Sequence, residues 1–212
     1  MVNYFNAIKY PVSNIKSFII GAILNLISLS LIPFFFVNGY IVKVIREINK
    51  KSDLMPEWNN WKEMLFDGFF VSAIIVAYLL PSLILYTIAT FTTTQSLTAA
   101  VASNTVLDIG TGALSAMLIS SAILFFALFL LPLAIVKFAL TKEFKSAFDI
   151  KSMAIAIFAD PLHYVLNLSI GAFIFVLFLL TSTLLSFVVS ALLFYPTVFF
   201  YRIMAEWYTD LP

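Results

Sequence analysis

From Pro161 to Tyr201 this chain carries no Asp, Glu, Lys or Arg. As one helix the run would reach about 61 Å at roughly 1.5 Å per residue, twice a hydrocarbon core of about 30 Å. Two short spans turning near Thr181-Ser182-Thr183 fit it better. Further charge-free runs precede it at Ser17–Val42, Phe69–Phe91 and Ala113–Val136. Hydrophobic residues make up 62% of the sequence and charged residues 11%, where soluble domains sit near roughly half and a quarter. A core in water cannot absorb that much apolar surface, so a bilayer is the solvent the sequence implies.

The expected fold class is therefore an all-α integral membrane protein, a single domain over 1–212 with about 4–6 transmembrane helices, five being the best count. The spans fall near 17–45, 69–91, 113–138, 163–181 and 184–203. Pro33 lies inside the first run and should kink it, with a re-entrant hairpin around Pro33 as the alternative. Residues 1–16 mix Tyr4, Phe5, Ile8 and Tyr10 with Lys9 and Lys16, which suits a segment lying at headgroup level. The stretch 92–112, rich in Thr and Ser and charged only at Asp108, reads as an outer loop or short surface helices, with a turn at Asp108 and Gly110.

Two basic elbows interrupt the apolar runs. Residues 43–67 hold five Lys/Arg, 137–160 hold four, and 91–112 hold none. By the positive-inside rule both elbows are cytoplasmic in a multi-pass protein of the cell (plasma) membrane. In the first, Pro56 suits the opening turn of a helix over 54–68, with Trp58, Trp61 and Leu65 on one face and Gly68 turning the chain back. In the second, over 142–160, Phe144, Ala147 and Phe148 repeat the pattern. Both read as interfacial amphipathic helices. Span, basic aromatic elbow, span recurs over 17–91 and 113–201, a weak internal repeat of the parallel kind.

The run Gly39-Tyr40-Ile41-Val42-Lys43-Val44-Ile45-Arg46, then Met55-Pro56-Glu57-Trp58-Asn59-Asn60-Trp61, Phe66-Asp67-Gly68 and Tyr78-Leu79-Leu80-Pro81, is more specific than composition. It resembles a prokaryotic, archaea-rich family of multi-pass membrane proteins catalogued as domain of unknown function 4013. Met55 stands where Leu is expected. The resemblance implies an integral membrane protein and brings no activity, substrate or catalytic residue with it.

Candidate lipid-headgroup contacts are Lys43, Arg46, Lys50, Lys51, Trp58, Trp61, Lys142 and Lys145, since basic and aromatic side chains together suit an anionic membrane surface. Asp160, His163 and Asn167 share a helix face and form a candidate polar site for a proton or cation. A capped helix start with an amphipathic His is the commoner meaning of such a set. Asp67, Glu57 and Glu63 read as a solvated face. No cysteine and a single histidine leave no conventional metal site and no cofactor. No catalytic set stands out, so the expectation is a non-enzymatic membrane protein that organises lipids or partner proteins. The alternative is a small transporter or channel for an uncharged or weakly polar solute. Expected partners are membrane lipids and a homo-oligomer or other membrane proteins. A net charge of +1 points away from nucleic acid.

Overall fold

The structure, a computed structural model, describes residues 2–28, 31–103, 111–182 and 193–211. They form helices α1 (Tyr4–Lys9), α2 (Ile15–Leu26), α3 (Leu31–Asn49), α4 (Trp61–Ser103), α5 (Thr111–Thr141), α6 (Ile150–Ala159), α7 (Pro161–Ser182) and α8 (Phe194–Thr209). Single 3-10 turns lie at Tyr10–Val12 and Phe144–Phe148, and the described residues include no strand. The chain divides into two compact units, one of Met1–Ile74 with Pro132–Pro212 and one of Ile75–Leu131.

In the first unit the run from Ser17 to Val42 is two helices, not one kinked helix. α2 ends at Leu26 with a turn at 27–28, ahead of Pro33, which sits in the opening turn of α3 where its missing N–H costs no helical bond. α2 and α3 fold back on each other: Ser17 Oγ and Tyr40 OH both donate to the Pro56 carbonyl, at 2.8 and 2.7 Å. This is the hairpin form of the first segment. α2 spans only about 18 Å, too short to cross a bilayer.

α7 and α8 form a second antiparallel pair. Gly171 on α7 leaves room for the Phe200 ring, and Tyr164 meets Trp207 with ring centroids 5.0 Å apart. α3 and α8 lie side by side, Tyr40 against Phe194, and Gly21 of α2 is filled by that same Phe194 ring. The N-terminal segment packs inward as well as facing out. Ala7 and Tyr10 are buried, and Ala7 joins Phe199 and Ile203 in one cluster. Asn3, Asn14 and Asp149 cap α1, α2 and α6 by accepting the N–H groups of Asn6, Ser17 and Ser152.

α3 and the start of α4 approach with backbone against backbone. A Cβ on Gly39 would strike the Met64 carbonyl, and one on Gly68 the Phe35 carbonyl. Gly68, expected at a turn, is thus a helix–helix contact inside α4. Residues 50–60 are not helical and α4 begins at Trp61, so the separate amphipathic helix expected over 54–68 is absent. The carbonyls of Pro56, Glu57 and Asn59 are taken by the Ser17 and Tyr40 hydroxyls and the Lys43 ammonium, which holds the segment out of a helix. At the second elbow the helical pieces are the 3-10 turn and α6, separated by Asp149.

In the second unit the expected loop is helical as far as Ser103. Thr93, Thr94, Ser96 and Thr98 donate to carbonyls four residues back, so the hydroxyls are satisfied within the helix itself. Ser120 Oγ donates to the Ser82 carbonyl at 2.8 Å and ties α5 to α4. Leu83, Ile84, Phe125 and Phe126 are exposed. The turn read at Asp108 and Gly110, and the first part of the span at 184–203, lie outside the described residues.

Among the described residues two helices are long and apolar enough to cross a membrane, α4 over Trp61–Ala102 and α5 over Gly112–Thr141. α6 and the following part of α7, bent by 98° at Asp160, supply a third if they count as one broken span.

Candidate functional site

Arg46, near the C-terminal end of α3, is the centre of the first elbow. Its guanidinium makes a forked pair with Asp67 of α4, at 2.5 and 3.1 Å, and reaches Glu63 at 3.3 Å. Nε donates to the Ala139 carbonyl at 2.9 Å. That carbonyl lies in the last turn of α5, where helical partners run out. One arginine therefore joins three helices. Arg46 and Asp67 side chains are each only 15% exposed, so the pair is shielded where most surface ion pairs are not.

A cleft of about 310 Å³ opens beside this pair. Lys43, Arg46, Lys50 and Lys142 line it together with Glu47, Glu63 and Asp67 and the amides of Asn59 and Asn60. Lys43 Nζ donates to the Glu57 carbonyl at 2.7 Å and to Asn59. Lys50 pairs with Glu47 at 2.7 Å, and Lys142 with Glu63 at 3.6 Å. Four of the eight expected headgroup residues thus meet across some hundred positions of sequence. Lys51 and Lys145 are exposed and do not line the cleft.

The two tryptophans part company. Trp61 is 43% exposed and packs edge-on against Phe36. Trp58, expected at headgroup level, is buried. It stacks on Tyr40 with centroids 4.0 Å apart and planes 7° from parallel, and its Nε1 donates to the Ser17 carbonyl at 2.8 Å. An indole with its N–H satisfied inside the protein gains more from that packing than from the interface.

Two further buried cations match the Arg46 arrangement. Lys137 of α5 donates to Ser152 Oγ at 2.8 Å and lies 3.3 Å from Asp149. Arg202 of α8 donates to the Ser52 carbonyl at 3.1 Å, pairs with Glu206 at 3.4 Å and Asp53 at 3.6 Å, and lies over the Tyr10 ring. Sequence reasoning counted Lys137 among the interfacial charges of the second elbow and placed Arg202 where the tail returns to the interface. The available signal was the spacing Arg202–Glu206, one helical turn apart.

The other candidate set divides. His163 Nδ1 lies 2.8 Å from Asp160 Oδ1, and Trp207 Nε1 donates to Asp160 Oδ2 at 3.1 Å. The His163 hydrogen bond holds the Asp160 carboxyl below the usual aspartate range, and the Trp207 bond adds to it. Asn167 is fully buried and faces Tyr4 instead, accepting from its hydroxyl at 2.9 Å, and its Nδ2 has no partner among the described residues. Asp160 and His163 border a cavity of about 210 Å³ with Val2, Trp207, Asp210 and Leu211. Among the described residues no three His, Cys, Asp or Glu are grouped so as to hold a metal ion.

Long uncharged helices with aliphatic and aromatic side chains outward, closed at one end by paired charges, are those of a helical membrane protein. The chain belongs to the family described as Protein of unknown function (DUF4013), whose profile matches residues 25–194. That range contains both elbows, the Arg46 cleft and the Asp160–His163 pair. No curated protein and no solved structure matches the chain.

Proposed function

We propose that this chain is a non-enzymatic integral membrane protein that organises lipids or partner proteins at one face of the bilayer. The observation that carries the proposal is the polar layer in which Arg46, Lys137 and Arg202, each close behind a charge-free run of sequence, are tied to an acid. Such a layer stiffens the end of the bundle and leaves other lysines facing outward, as a scaffold against headgroups requires. The elbows 43–67 and 137–160 face the cytoplasm in this reading, and the membrane is the plasma membrane. Native mass spectrometry of the detergent-purified chain is expected to show retained lipid or a discrete oligomer. A lipid-free monomer whose stability ignores added lipid would overturn the proposal. Because the sequence has no native cysteine, single cysteines at the exposed positions 54 and 145 report the side directly: both should react only with reagent added from the cytoplasmic face.

A second reading rests on the 98° bend between α6 and α7, which places Asp160 and His163 at a break of the kind that lines solute sites in transporters. Proteoliposomes would then pass a small uncharged solute, and His163→Gln would slow the flux. Tight vesicles across a panel of such solutes would remove this reading.

A further inference from the structure

We propose that the Arg46 cleft is a phosphate site that receives the headgroup of an anionic lipid. The inference rests on the lipid-organising reading above and names the ligand class of that polar face. Its walls end where charge-free sequence begins: α3 is uncharged up to Val42, α4 from Gly68 and α5 until Lys137. In a bilayer that level is the headgroup region. The lining cations exceed the lining carboxylates by one. Lys50 and Lys142 side chains are 67% and 66% exposed, and their contacts to Glu47 and Glu63 are of the weak surface kind. Both ammonium groups can turn to a phosphate without breaking a buried bond, while Asp67 keeps Arg46 in place. A volume of about 310 Å³ lies at the low end of small-molecule sites.

The backbone adds an independent sign. Among the described residues three non-glycine positions have positive φ, and two of them, Asn60 at 58° and Lys142 at 61°, line the cleft. Lys142 follows the end of α5 and donates its N–H to the Phe138 carbonyl, the helix stop that usually takes glycine. Lysine there carries a conformational cost that glycine would not, and the side chain gained by it points its charge into the cleft. Strain kept at a clamp of this kind is an indication of use.

The test compares the full chain with Lys142→Gly, Lys50→Gln and, outside the cleft, Lys62→Gln. Thermal unfolding in detergent and binding to nanodiscs of phosphatidylglycerol or phosphatidylcholine are measured, with inorganic phosphate as a separate addition. Lys142→Gly should unfold no lower than wild type without lipid and yet bind phosphatidylglycerol about fivefold more weakly, the size of one lysine's attraction to an anionic surface. Lys50→Gln should weaken binding in the same direction, and Lys62→Gln should leave it near wild type. Unchanged phosphatidylglycerol preference in both cleft variants would overturn the site and leave the lipid reading standing. No phosphatidylglycerol preference and no phosphate effect in the wild type would overturn both. Equal stabilisation by inorganic phosphate alone, lost in the cleft variants, would support the phosphate site while overturning the lipid as its source.

Discussion

The two elbows carry the same kind of sequence and use it in opposite ways. Each follows a charge-free helix, and each clusters lysines with aromatic residues. In the first, the aromatic group goes inside: Trp58 is stacked on Tyr40, and the cations gather around an open cleft. In the second, the cation goes inside: Lys137 is 4% exposed on Asp149 and Ser152, while Phe144 and Phe148 pack on each other near the surface. The difference follows from the acceptors available. The irregular residues 50–60 offer backbone carbonyls to Lys43 and the hydroxyls, whereas the tight second elbow offers Lys137 the side chains of Asp149 and Ser152. A basic aromatic stretch therefore does not by itself specify which of its side chains is buried; the neighbours decide.

The largest effect that would break this comparison is at the close contact supporting the first elbow. Gly39→Ala places a methyl against the Met64 carbonyl, which has no rotamer to adopt, and should cost about 3 kcal/mol in thermal or denaturant unfolding. Gly171→Ala meets only the Phe200 ring, which can turn, and should cost about 1 kcal/mol. Equal losses would mean that α3 and α4 are not in backbone contact.

Charge deletions should separate the elbows next. Asp67→Asn leaves Arg46 shielded and half-paired with Glu63, at a cost of about 2 kcal/mol. Lys137→Met replaces a buried cation by an apolar chain of similar length and frees an exposed Asp149 that still caps α6, so stability should stay close to wild type. A severe loss from Lys137→Met would show that the two cations have equivalent roles. Trp58→Phe removes the bond to the Ser17 carbonyl and should cost about 1 kcal/mol, with a loss of near-ultraviolet dichroism from the stacked rings. Phe148→Ala at the second elbow should cost less, because much of that ring faces out.

The smallest effect expected is acid sensitivity at the end of the second elbow. Asp160 is held ionised by His163 and Trp207, so its folded-state pKa lies below the unfolded one. Its contribution is complete above the ordinary aspartate range and disappears as the pH falls through the lowered value. Trp207 emission should shift below about pH 4, and Asp160→Asn should abolish the change. An acid transition that persists in Asp160→Asn would place the sensitivity elsewhere.

Much of the helical plan could be read from charge spacing alone, because a bilayer-sized apolar run admits few other structures. The second halves of such readings failed where local rules had competitors. Pro33 was legible as a break but not as a helix start, since both meanings follow from one missing N–H. Thr93 to Thr98 looked like a loop because threonine favours loops, yet in an uncharged helix its hydroxyl returns to the backbone. In the candidate site, Lys43 and Arg46 share one helix, Lys50 follows directly on its end, and the three could be grouped by eye. Lys142 joins them only because Arg46 reaches the end of α5, a contact between residues 93 apart.

The sequence by itself determined that this is a helical membrane protein, which charge-free runs must bury in lipid, and that its cations collect at two elbows. Only the tertiary structure decided that Trp58 and Lys137 turn inward, that Gly39 and Gly68 join two helices, and that Lys43 of α3 and Lys142, just past the end of α5, share a cleft. Hydropathy sums along the chain and is readable there. Which carbonyl or carboxylate stands opposite a given side chain depends on packing between distant segments, and no local pattern encodes it.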